Sequence, residues 1–191
     1  MEKSMRFDLV IFAILALVML ATRTHSFSSY IHLPDTSWAS FFIAGYYIRN
    51  RLAFPALFLL SFTIDLFVIG VKDGASHCFT PAYWMLMPAY GAMWFGGRFS
   101  AHRFGASVKD LPGIFLTICG ASLAAQLFSS GGYYMLSGNF IDPNIAEFAG
   151  RMERYFPGNL LSTLTWCGVA VAAHIAYFIT KSADAEVSTT K

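Results

Sequence analysis

Long apolar stretches separated by short polar gaps dominate the chain, and a helix that crosses a bilayer needs roughly 20 such residues in succession. Six stretches qualify as spans: about Phe7 to Thr22, Trp38 to Ile48, Leu52 to Val71, Pro81 to Phe95, Leu111 to Phe128 and Leu160 to Thr180. The second and fourth are short. They are expected to borrow flanking aromatics such as Tyr46, Tyr47 and Trp84, or to enter the bilayer at shallow depth. The first span follows a basic start, Met1 to Arg6, as the core of a secretory signal would. No small-x-small cleavage site leading into a soluble polar region follows it, so it reads as a retained span. Six helices take up nearly all of the 191 residues, which makes residues 1–191 a single all-α integral membrane domain.

Composition supports the same class. Hydrophobic residues make up 56% of the chain and charged residues only 13%, against about 25% charged in soluble domains. A net charge of +2 is too small to suggest a nucleic-acid partner, and the basic residues are better read as topology signals. With the N-terminus inside, nine of the 13 basic residues fall on the cytoplasmic side: Lys3, Arg6, Arg49, Arg51, Arg98, Arg103, Lys109, Lys181 and Lys191. Arg23, Lys72, Arg151 and Arg154 fall outside. An even number of spans with both termini in the cytoplasm obeys the positive-inside rule.

This topology puts three loops on the outer side, at about Arg23 to Ser37, Lys72 to Thr80 and Ser129 to Asn159. They carry His25, His32 and His77, several aromatics, and a Gly-rich run Ser129-Ser130-Gly131-Gly132-Tyr133-Tyr134. Such loops suit the mouth of a site for a large, mostly apolar ligand, although Tyr and Trp also gather at any membrane interface.

Among the polar gaps, Lys72 to Pro81 holds the most pointed chemistry. Two of the three cysteines, Cys119 and Cys167, lie within spans among small and apolar neighbours and read as small hydrophobes. Cys78 stands beside His77 in an outer loop, where an unpaired thiol invites oxidation and tends to persist for a reason. It reads as a ligand for a soft or borderline metal or as a nucleophile, with an inert loop cysteine as the bland alternative. Asp65, thirteen residues earlier, lies inside the third span, where a carboxylate must face protein, water or a partner. It is expected in the outer half of that span, at the floor of the same mouth or in a helix-to-helix hydrogen bond. Tyr83 is expected on the first turn after Pro81, facing back toward the loop.

His25 and His32 are placed to close over a ligand, and His77 to act as ligand or base. No pair of histidines has zinc spacing and no Cys-x-x-Cys occurs, so no structural metal is expected. Walker A, Gly-x-Ser-x-Gly and dinucleotide fingerprints are also missing, so the chain carries no recognisable means of coupling ATP.

Asp65, the His77-Cys78 loop and Tyr83, set in a six-span chain of this size, resemble the substrate-binding S-components of energy-coupling factor (ECF) transporters. More narrowly they resemble the solitary vitamin B12 transporters of the BtuM type. That resemblance implies an S-component-like bundle in a bacterial cytoplasmic (inner) membrane, with cobalamin as the transported substrate. It implies Cys78 as an axial ligand of cobalt, with Asp65 and Tyr83 in the pocket. The corrin ring already supplies four equatorial nitrogens, so one thiolate donor suffices. Donation from one face weakens the bond on the opposite face, so Cys78 is also expected to assist loss of cyanide from cyanocobalamin. S-components that dock on a shared energising module commonly show Ala-x-x-x-Ala on the first helix, because small residues permit close approach. Here Ala13 and Ala16 are three apart, so solitary action is expected rather than docking on an ECF module.

Two other classes remain open at this point. One is a membrane-embedded, exosortase-like thiol enzyme with Cys78 as nucleophile, served by a histidine and one of Arg23, Arg151 or Arg154. The other is an S-component for a different vitamin, in which Cys78 is incidental.

Overall fold

The computed structural model describes residues 2–23, 34–71, 81–105 and 107–189. Six α-helices occur among them: α1 (Glu2–Arg23), α2 (Ser37–Tyr47), α3 (Ala53–Val71), α4 (Leu86–Arg103), α5 (Leu111–Leu136) and α6 (Ile145–Thr189). A 3-10 turn at Pro81–Met85 leads directly into α4, and another at Val108–Asp110 leads into α5. Prolines mark helix starts. Pro81 opens the first 3-10 turn and Pro112 lies in the first turn of α5, where a missing backbone N–H leaves no hydrogen bond unmade.

Successive helices run in opposite directions. Arg23, Ser37, Asp65 and Tyr83 meet at one end, here called the upper end, and Gly132 of α5 packs against the Met85 side chain there. At the lower end the Arg49 amide donates to Asp8 of α1 (3.1 Å), and the Arg98 guanidinium donates to the Arg49 carbonyl (2.9 Å).

Among the described residues three helices are long and apolar enough to cross a membrane: Met5–Arg23, Leu111–Leu136 and Ile145–Tyr177. Their apolar side chains point largely outward, with Leu9, Leu17, Leu116 and Leu161 among the exposed ones. That arrangement is costly in water and comfortable in lipid. The apolar part of α3 described, Ala53–Phe67, is shorter. At 11 residues, α2 rises only about 16 Å, in keeping with the short second stretch in the sequence.

The structure departs from the sequence reading between residues 129 and 159. The Gly-rich run expected in an outer loop is the last part of α5, and α6 begins at Ile145. Glycine and serine are tolerated inside bilayer helices because they let neighbours approach closely, as Gly132 does at Met85. The start of α6 is fixed locally. Asn144 Oδ1 accepts the Glu147 amide (2.8 Å), and Arg151 pairs with Glu147 one turn below (3.2 Å). Arg151 also lies 4.4 Å from the Phe140 ring centre, which ties the connection back onto the helix.

The tightest seam joins α2 and α4. A Cβ at Gly45 would strike the Trp94 carbonyl, and one at Gly97 would strike the Phe42 carbonyl, so the two backbones touch. Beside this seam an aromatic column fills the space toward α3. Phe41 stacks on Tyr90 at 4.4 Å, Phe54 meets Phe41 edge-on at 5.6 Å, and Phe54 meets Trp94 at 5.8 Å. Met19, Phe41, Leu57 and Met93 are fully buried there, so α1 to α4 form one packed unit.

Candidate functional site

Asp65 lies on α3, below the point where the described part of the helix ends at Val71. A carboxylate at that depth needs a partner, and the structure supplies one from α1. Arg23, the last residue of α1, donates from Nε to Asp65 Oδ1 (2.5 Å) and from Nη2 to Asp65 Oδ2 (2.6 Å). This is the two-pronged guanidinium–carboxylate geometry, in which both charges are satisfied by directed hydrogen bonds. Both side chains are largely shielded, with 14% and 18% of their surface exposed.

Three hydroxyls complete the cluster. Tyr83, on the 3-10 turn, donates to Asp65 Oδ2 (2.8 Å). Arg23 Nη1 donates to the Ser37 hydroxyl (2.6 Å) and to the Tyr90 hydroxyl (2.9 Å). Ser37 in turn donates to the Asp35 carboxylate (2.8 Å), which also accepts the Ser37 amide (3.1 Å). Just below, the Thr22 and Thr36 hydroxyls share a hydrogen bond of 2.9 Å. The Phe62 ring meets the edge of Tyr83 at 5.6 Å and gives the phenol an apolar backing.

The segment before α2 is held from the other side as well. The Trp166 indole N–H donates to the Pro34 carbonyl (3.0 Å), and the Ser162 hydroxyl donates to the Asp35 carbonyl (2.7 Å). Five elements and the upper part of α6 thus converge on residues 34–37 and the Arg23–Asp65 pair.

Of the residues singled out in the sequence, the structure brings Asp65 and Tyr83 together and seats Tyr83 just after Pro81. His25, His32, His77 and Cys78 lie outside the described residues. Cys119 is half-buried and Cys167 buried; both are free thiols within helices. Sequence reasoning set Arg23 on the outer side but did not pair it with Asp65, and it passed over Ser37 and Tyr90. The signal was present for Arg23, since an in-span carboxylate calls for a cation at similar depth and Arg23 closes the first span. No sequence signal marks Ser37 or Tyr90, because their contact with Arg23 depends on how four helices pack.

At the lower end a second polar pair sits among apolar residues. The Tyr47 hydroxyl and His174 Nδ1 lie 3.0 Å apart, joining α2 to α6. A cavity of about 110 Å³ adjoins the pair on the side of α5, and a groove of about 290 Å³ adjoins it on the side of α1. Both are walled almost wholly by apolar side chains. Among the described residues no three or more His, Cys, Asp or Glu side chains come together as a metal site.

No described protein family matches the chain, and no curated protein matches it either.

Proposed function

We propose that the protein takes up vitamin B12 across the bacterial inner membrane. In this reading six helices cross the bilayer with both termini in the cytoplasm, and the upper end faces outward. Cobalamin is captured there with Cys78 as axial ligand of its cobalt, while Asp65, Tyr83, His77, His25 and His32 line the mouth.

One observation carries the reading. The described residues that flank the two histidine- and cysteine-bearing segments all converge at one end of the bundle. Arg23 and residues 34–37 flank the segment that holds His25 and His32, while Asp65 and Tyr83 flank the one that holds His77 and Cys78. Cys78 is three residues from Pro81 in the chain and is therefore tethered to the Asp65–Tyr83 pair. A cobalt(III) corrin needs one added donor, which a single tethered thiolate provides. With cyanocobalamin the thiolate would take the place of the benzimidazole base on one face of the ring, and its donation would weaken the bond to cyanide on the other, which would leave as the cyanide anion.

The thiol-enzyme reading is less well served. Arg23, one of its candidate partners for the nucleophile, is occupied by Asp65, and Arg151 is occupied by Glu147.

The test is the visible absorption spectrum of the purified protein with added cobalamin. Retained corrin with a shifted band, lost in Cys78→Ala, is the expected result. A spectrum unchanged between the two proteins overturns the ligation.

A further inference from the structure

An apolar void left between helices in a bilayer costs the contacts its wall atoms do not make, and where it opens to lipid an acyl chain can supply them. The cavity of about 110 Å³ beside the Tyr47–His174 contact is such a void. Leu111, Ile114 and Ile118 line it from α5, and Cys167, Val171 and Ile175 line it from α6, each set spaced by three or four residues along one helix face. Those spacings correspond to roughly 10 to 12 Å of helix rise. Higher up α5 and α6 are joined, since the Asn159 side-chain amide donates to Gln126 Oε1 (2.7 Å). Below that bond Leu111, Val171 and Ile175 are 39%, 36% and 49% exposed, so the cavity is a slot that opens sideways between the two helices.

The lower mouth of the slot is charged. Gly105 and Ser107 line it there, in the turn that joins α4 to α5, at the end of the apolar stretch Leu111–Leu136 where lipid headgroups lie. Arg103 and Lys109 flank these two residues; both are exposed, and among the described residues neither side chain makes an ion pair or hydrogen bond. Asp110 is the only acidic residue from His102 to Leu111, and its carboxylate accepts the Gly105 amide (3.1 Å). The turn is therefore net positive. The groove on the α1 side differs, because Arg6 and Asp8 on either side of its Phe7 balance each other in charge.

We propose that the slot binds one anionic phospholipid, with an acyl chain between α2, α5 and α6 and the phosphate held at the mouth by Arg103 and Lys109. Charge selects this occupant. A zwitterionic lipid fits the same slot, but its headgroup amine gains nothing from two cations. A second copy of the chain, inserted with the same end down, brings an equally positive turn to the same depth. The site depends neither on the proposed uptake of cobalamin nor on which way the chain faces.

The experiment is native mass spectrometry of the full chain, purified in a neutral detergent and given equal amounts of phosphatidylglycerol and phosphatidylcholine with the same acyl chains. A one-to-one adduct is expected, with phosphatidylglycerol favoured about tenfold. Arg103→Gln with Lys109→Gln is expected to bring the two lipids within about twofold of each other, because the headgroup contribution is removed. Arg49→Gln with Arg51→Gln, the same loss of charge at the same end of the bundle, is expected to keep the preference. Ile114→Phe, which fills this slot and not the groove beside α1, is expected to reduce both adducts about threefold or more. If Ile114→Phe does not run as a folded species on gel filtration, Val171→Phe at the opening takes its place, and the charge variants carry the test if both fail.

No adduct with the unaltered protein, no preference between the lipids, or equal effects of the two double variants overturns the inference. So does an unchanged adduct once the slot is filled, since the lipid is then held at the surface by charge alone. A lipid-free dimer also overturns it, because the occupant is then a second copy.

Discussion

The two faces of α2 are packed in opposite ways. Toward α4 the helix offers Gly45 and receives Gly97, and the backbones touch with no side chain between them. Toward α6 it offers Ile43 and Tyr47, and space remains on both sides of the Tyr47–His174 contact. In lipid the apolar surface of a helix gains little by leaving its surroundings, so helices associate where shape allows close contact. Glycine supplies that shape on one face of α2, and α6 has no counterpart to it. Gly168 of α6 has open space where a Cβ would sit. The seam with α4 is therefore the close one, while the seam with α6 is looser and carries the Tyr47–His174 hydrogen bond.

The contrast can be broken most directly at the glycines. Gly97→Leu drives a branched side chain into the Phe42 carbonyl and is expected to cost about 4 kcal/mol or more, enough to prevent accumulation of folded protein. Yield of monodisperse protein on gel filtration is the measurement, and a normal yield would refute the backbone contact. Next in size is Arg23→Gln, which strands a shielded carboxylate on α3. It is expected to cost about 3 kcal/mol, read as a lower unfolding temperature in detergent. The double variant Arg23→Gln with Asp65→Asn should recover much of that loss; no recovery would mean that Arg23 acts through other partners.

Smaller effects sharpen the other side of the comparison. Tyr47→Phe removes the hydroxyl that faces His174 and is expected to cost about 0.6 kcal/mol, the usual size of one such bond between membrane helices. A loss as large as that of Arg23→Gln would show that the α6 seam bears far more than its geometry suggests. Smallest is Gly168→Ala, where open space lets the better helix former gain about 0.5 kcal/mol; a measurable loss would place an unseen neighbour at that face.

Much of the helical framework was legible as hydropathy, since α1, α2, α3 and the apolar part of α5 each coincide with an apolar run. What was misread has a physical cause. Residues 129–134 look like a loop when glycine and serine are weighed as turn formers, but inside a bilayer they are contact residues. Residues 145–156 look like a loop because Glu147, Arg151, Glu153 and Arg154 break the apolar run. Yet the Asn144 cap, the Glu147–Arg151 pair and a half-buried stripe of Phe148, Met152 and Phe156, with Phe148 stacked on Tyr134, stabilise a helix there. Pro157 did not stop that helix, which continues through it.

At the candidate site the same division holds. Asp65 announced itself because a carboxylate in an apolar run demands an explanation, and Tyr83 followed from Pro81. The partner of Asp65 is 42 residues away in sequence, and no local periodicity encodes a contact over that distance. The need for a cation was readable; its identity depended on where α1 ends against α3.

The clasp between α6 and residues 34–35 has a mechanical consequence. Trp166 and Ser162 pin the helix beside the upper cluster, whereas residues 166–177 border the empty volumes on either side. Helices are stiff and the clasp lies near mid-length of the 45-residue α6, so it acts as a pivot: tilting the part above it would swing the part below it against those volumes. A tilt imposed on the upper part of α6 would thus be delivered to the lower end of the bundle.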